Sequence, residues 1–160
     1  MNKYKIFDIF KSEEDLFNVL DSVDVNEGSF SLVYSLFDDL VIKETDDNAY
    51  LRFIEVTSNL NSQHLPIVYD VQKIGVLYYV LMEKLEVSDL SFSLNHTAEC
   101  AGYMEKDICV FKGVSESLDS ILDILDNLKP DDVQWDLREL NVMQRSCGTL
   151  VITDPWFIES

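Results

Sequence analysis

The chain has 160 residues, 47% of them hydrophobic, enough for one core and too many for a disordered segment. Its formal net charge of −18, from 30 acids against 12 Lys and Arg, excludes direct binding of nucleic acid or an anionic membrane and favours a basic partner. Three cysteines (Cys100, Cys109, Cys147) without a CxxC pair, no apolar run after Lys3 and Lys5, and no stretch long enough to span a bilayer predict a reduced, cytoplasmic protein.

Ser12-Glu13-Glu14-Asp15 reads as a helix start, with Ser12 as N-cap and acids in the first turn. Leu16, Val19, Leu20 and Val23 then form its apolar stripe. Residues 29–36 and 40–43 are rich in Val, Leu, Phe and Tyr and predict two strands, with Phe37-Asp38-Asp39 as the turn. Asp46-Asp47-Asn48 opens a predicted helix from 48 to 61, packed through Tyr50, Phe53, Ile54, Thr57 and Leu60. Two more strands are expected near 67–73 and 76–83. Residues 86–115 have weak periodicity and predict no definite element. A helix returns at 116–128, where Leu118, Ile121, Leu122, Leu125 and Leu128 fall at helical spacing and Lys129-Pro130 ends the run. Val142-Met143 and Leu150-Val151-Ile152 predict a hairpin around Ser146-Cys147-Gly148. The sum is an α+β fold with mostly antiparallel strands.

Three constellations can carry chemistry. Glu27-Gly28-Ser29-Phe30-Ser31-Leu32-Val33-Tyr34 is a tight turn whose backbone N–H groups could approach phosphates while Val33 covers a base; it also reads as a plain Gly-Ser hairpin. Lys43 closes the apolar run Val41-Ile42 and can reach a phosphate or snorkel to water; Glu55 can pair with it or be a surface glutamate. In the last segment Asp136 is followed five positions later by Asn141, and Asp154 comes thirteen positions after that. An aspartate and an asparagine oxygen suit Mg²⁺, which takes a few hard oxygen ligands, and a second aspartate can orient an attacking hydroxyl.

In order and spacing these residues resemble the protein-kinase-like fold over about residues 25–156, and the C-terminal segment is also similar to small kinase-like proteins of tailed phages. The resemblance implies an N-terminal lobe (1–85, an antiparallel sheet plus a helix) and a reduced C-terminal lobe (86–160, helices and a catalytic-loop hairpin) in a single domain. It implies Mg²⁺ and ATP as cofactors and transfer of phosphate to a protein hydroxyl. Gly28, Ser29, Phe30, Ser31 and Val33 match the glycine-rich loop, and Lys43 the phosphate anchor held by Glu55. His64-Leu65-Pro66-Ile67-Val68 follows Glu55 at the family's distance. Met82 matches the gatekeeper, with Glu83 to Leu85 beside adenine. Asp136 matches the catalytic aspartate, and Asn141 and Asp154 the metal ligands.

The chain departs from the family in four places. Asn26 and Ser31 stand at the outer glycine positions of the loop. Gln134-Trp135 replaces the His-Arg that precedes the catalytic aspartate, and Pro155-Trp156 replaces Phe-Gly after the metal-binding one. The sequence ends six residues after Asp154, which predicts no activation segment and no large helical platform. That ending and the charge together open an alternative: a catalytically silent, kinase-derived acidic module that blocks a basic or nucleic-acid-binding host protein, in the host cytoplasm if the chain is viral.

Overall fold

The computed structural model describes residues 4–27, 31–37, 39–88, 114–137 and 141–158. The chain divides into two units, Met1–Asp47 with Ile67–Lys84, and Asn48–Pro66 with Leu85–Ser160. Residues 48–66 belong to the second unit, on the far side of the division from residues 40–45 and 68–74. No helix among the described residues is long and apolar enough to cross a membrane.

The first unit is a five-stranded antiparallel sheet with two short helices on one face. Its strands are β1 (Val25–Glu27), β2 (Ser31–Ser35), β3 (Leu40–Thr45), β4 (Val68–Ile74) and β5 (Leu77–Glu83), in the order β1-β2-β3-β5-β4. β3 is central and almost wholly buried, as its Leu-Val-Ile run suggests. Asp39, at φ 60°, turns the chain from β2 into β3, and Gly75, at φ 63°, makes the two-residue turn between β4 and β5. Side chains alternate across the sheet. Leu40, Ile42, Tyr79 and Leu81 therefore share one face, where they pack against Ile6, Phe10, Leu16 and Leu20. Those four come from α1 (Ile6–Ile9), α2 (Glu13–Leu20) and the residue that ends α1.

α2 starts as expected. Ser12 Oγ accepts from Asp15 N at 3.1 Å, and Asp15 Oδ2 accepts in return from Lys11 N at 3.0 Å. α1 is tied down from the sheet, since Asp70 Oδ2 on β4 accepts from Ile6 N at 2.9 Å. That bond satisfies a helix N–H that the helix itself leaves open.

A polar strip crosses the same face. Glu44 stands opposite Leu32 on β2 and Tyr79 on β5, and Tyr34 Oη is 3.5 Å from Glu44 Oε2. Burial first, and the Glu44 carboxylate second, raise the phenol pKa of both Tyr34 and Tyr79. Above about pH 10 the unfolded chain loses these protons while the folded protein keeps them. Stability is therefore complete below that pH and falls as the pH climbs toward the folded values. Tyr79→Phe should flatten this alkaline loss when unfolding is followed between about pH 9 and 11; a limb identical to wild type would assign the loss elsewhere.

The second unit begins with α3 (Asn48–Thr57), which buries Ala49, Tyr50, Phe53, Ile54 and Thr57. The helix ends short of the expected residue 61. Past Thr57 the backbone tightens to three-residue bonds, Ser58 N to Glu55 O at 3.3 Å and Leu60 N to Thr57 O at 2.9 Å, and Ser58 Oγ also donates to Glu55 O at 2.7 Å. α4 (Glu116–Leu128) matches its expected range at both ends and buries Leu118, Ile121, Leu122 and Leu125. Ser115 Oγ caps it, accepting from Leu118 N at 3.2 Å.

β6 (Glu86–Val87), β8 (Val142–Gln144) and β9 (Leu150–Ile152) form a three-stranded antiparallel sheet in the order β6-β8-β9. The expected hairpin is its β8–β9 half, turned at Gly148, φ 85°. β7 (Gln134–Trp135) and β10 (Trp156–Phe157) pair separately, with Trp135 opposite Trp156. Trp156 is 1% exposed and meets Phe53 and Trp135 edge-on, at centroid distances of 5.6 and 6.4 Å. Trp135 Nε1 donates to Asp126 Oδ1 on α4 at 3.0 Å. The aromatic stack thus joins α3, β7 and β10, and one hydrogen bond carries it to α4.

Candidate functional site

The candidate site is the place where β7, β8, β9 and β10 end together. β7 delivers Asp136, the start of β8 follows Asn141, and the β9–β10 connection carries Asp154. Three hydrogen bonds link these residues through the backbone. Asn141 Nδ2 donates to Asp136 O at 2.7 Å, Thr153 N donates to Asn141 O at 2.8 Å, and Asp136 N donates to Pro155 O at 2.6 Å. Asp136 and Asn141 are thereby tied to Thr153 and Pro155, the two neighbours of Asp154, across up to nineteen positions. Arg138, Glu139 and Leu140, inside the Asp136–Asn141 loop, lie outside the described residues.

The immediate surroundings are apolar. Trp135, Leu137, Val142, Ile152 and Trp156 are all buried, while Asp136, Asn141 and Asp154 are half-buried. Asp154 Oδ1 is shielded from solvent. Such a setting strengthens electrostatic interactions. Among the described residues no three His, Cys, Asp or Glu side chains converge as a metal cluster. Mg²⁺ does not require one, because it is commonly held by one or two protein oxygens with phosphate and water completing the shell. Asn141 fits that role. Its Nδ2 must face the Asp136 carbonyl, which can only accept, so Oδ1 is the amide atom left to a cation. Asn141 Oδ1 and the Asp154 carboxylate are hard-oxygen groups of the kind Mg²⁺ takes as ligands.

The sheet places a second set of expected residues on one face of the first unit. Val33, Lys43 and Val80 stand in register across β2, β3 and β5. Ser31 and Met82 alternate onto the same face, opposite the one that α1 and α2 cover. β3 runs on to Thr45, so Lys43 lies within the strand instead of closing it, and at 8% exposed it does not snorkel to water. A buried ammonium needs acceptors or an anion to offset its desolvation. Glu83 is half-buried, and its Oε1 accepts from Ile67 N at 2.8 Å. Glu55 is exposed on α3 and Leu85 is half-buried at the start of the second unit's C-terminal segment. Gly28, Ser29 and Phe30 lie outside the described residues, as do residues 89–113, most of the stretch without a predicted element.

Sequence reasoning missed the aromatic stack and the tie around His64. A signal for the first was present: the chain's two tryptophans directly flank the candidate acids, as Trp135-Asp136 and Asp154-Pro155-Trp156. Both tryptophans are buried, and both stand where the chain departs from the kinase-like resemblance. No family model matches the chain, and no curated protein matches it.

Proposed function

We propose that the protein is a minimal phosphotransferase that uses Mg²⁺ and ATP to phosphorylate a protein hydroxyl. The observation that carries this reading is the backbone-linked cluster of Asp136, Asn141 and Asp154, whose order and spacing are those the kinase-like resemblance assigns to a catalytic aspartate and two metal ligands. Asn141 and Asp154 hold the ion, which when bound offsets the negative charge of the phosphates. Asp136 orients the acceptor hydroxyl and takes up its proton. Lys43 anchors the phosphates from the buried face of β3, with Glu55 as the acid the resemblance pairs with it. Ser31, Val33, Met82, Glu83 and Leu85 serve the nucleotide, together with Gly28, Ser29 and Phe30. The order of three strands, a helix and two strands along residues 25–83 supports an N-lobe of the kinase kind.

A net charge of −18 opposes a polyanionic ligand, so Mg²⁺ and Lys43 are both needed to hold ATP. The same charge favours a second reading, an acidic module that captures a basic host protein. Such a complex should weaken steeply as salt rises. A thermal melt with and without Mg²⁺·ATP, on wild type and Asp154→Ala, tests the first reading. A shift confined to wild type supports it, and absence of a shift in both leaves the binding module as the reading to pursue.

A further inference from the structure

β9 has two edges, and only one of them faces β8. Thr149 and Thr153 turn their backbone groups toward the β8 side, where Arg145 N donates to Thr149 O at 3.0 Å and Thr153 N to Asn141 O at 2.8 Å. Leu150 and Ile152 alternate to the outer edge. Among the described residues, the sheet order β6-β8-β9 puts no strand beyond that edge. A buried edge left open would strand an N–H and a C=O.

His64 takes one N–H and one C=O of that edge. Ile152 N donates to His64 O at 2.9 Å, and His64 Nδ1 lies 2.8 Å from Leu150 O. A carbonyl only accepts, so Nδ1 carries the hydrogen and donates. In a true strand the backbone N–H of His64 would make this second bond. Here that N–H is turned to Ser62 Oγ at 3.1 Å, and the imidazole takes its place. Ring Nε2 lies 2.8 Å from Ser117 Oγ at the start of α4. Arg145 holds the segment from the hairpin, donating to Gln63 O and, at 3.1 Å, to Leu65 O, one on each side of His64. The His64 side chain is 5% exposed.

We infer that His64 is a positioning residue for Asp154, its ring acting as a one-residue fourth strand on the outer edge of β9. Asp154 lies two residues beyond Ile152. The His64 bracket fixes the chain before it, and the Asp136 N to Pro155 O bond fixes the chain after it. A metal ligand must be held within about half an ångström, so loosening either side weakens the site. The link to catalysis rests on the proposed Mg²⁺·ATP site; the bracket itself does not.

Amide exchange at Ile152 and the dissociation constant for Mg²⁺·ATP, measured on His64→Leu, His64→Asn and His64→Gln, test the inference. The asparagine amide reaches the place of Nδ1, and the glutamine amide that of Nε2. His64→Leu should speed Ile152 exchange by about tenfold relative to Leu122 in α4, the worth of one hydrogen bond. His64→Asn should stay within about threefold of wild type and His64→Gln should follow His64→Leu. The dissociation constants should rise in the same order. Equal exchange in the asparagine and leucine variants, or leucine exchange like wild type, would overturn the inference. If His64→Leu does not fold, the asparagine–glutamine comparison decides. A wild type that shows the exchange order but binds no Mg²⁺·ATP would sink the proposed function and leave the bracket standing.

Discussion

Trp156→Ala should lower the unfolding free energy by about 3–5 kcal/mol, the range for removing a fully buried large aromatic. The residue is 1% exposed and meets two aromatic partners edge-on. Such contacts add about 0.5–1.5 kcal/mol beyond simple burial. The change also leaves Trp135 without its cross-strand neighbour, so the β7–β10 pair that brings Asp136 N to Pro155 O loses its packing. Trp156→Phe should recover most of the loss. A phenyl ring can still meet Phe53, and it removes an indole N–H that is buried with no acceptor among the described residues. Urea denaturation of the three proteins checks this. A loss below about 1 kcal/mol in the alanine variant would place the stack outside the structure's main stabilising contacts.

The second large effect is expected in the other unit. Leu81→Ala should cost about 2–5 kcal/mol, because Leu81 is fully buried on β5 in register with Ile42 and faces the α1–α2 layer. The spread reflects how far the neighbours can close the cavity. Val76→Ala is the control. Val76 is 82% exposed in the β4–β5 turn, and its loss should stay within about 0.5 kcal/mol. Similar midpoints for the two variants would mean that the face packed by the helices contributes little.

The elements that the sequence foretold are those with several residues in period. α4 has four buried positions at helical spacing with a proline just past its end, and both of its limits were legible. The strands β2 to β5 were legible from their β-branched and aromatic runs. α1 was not: four residues carry no period, and it is held by Asp70, sixty-four positions away. β7 and β10 are two residues each, too short for alternation, and their pairing depends on aromatic packing. α3 was drawn too long because Leu60 continues the apolar spacing, whereas after Thr57 the backbone tightens to three-residue bonds and Ser58 Oγ takes the Glu55 carbonyl.

The candidate site divides in the same way. The identities and spacing of Asp136, Asn141 and Asp154 could be read from the chain. The bonds that gather them run through backbone carbonyls of Asp136, Asn141 and Pro155, and a carbonyl leaves no trace in residue type. His64 was visible only as part of a spacing. Its use of ring Nδ1 as a strand donor depends on the turn at Ser62 that diverts its own N–H.

The proposed function stands on Asp154 and Asn141 making a Mg²⁺–nucleotide site. Melting wild type and Asp154→Ala with and without Mg²⁺·ATP tests it most directly. Nucleotide at about a hundred times its dissociation constant adds about 2.7 kcal/mol to the stability of the protein that binds it. For a chain of this size that is a rise in Tm of about 5–10 °C. This rise is expected in wild type, with its loss when Mg²⁺ is chelated and no rise in Asp154→Ala. Equal shifts in both proteins would place the nucleotide elsewhere, and no shift in wild type at millimolar Mg²⁺·ATP would contradict the claim.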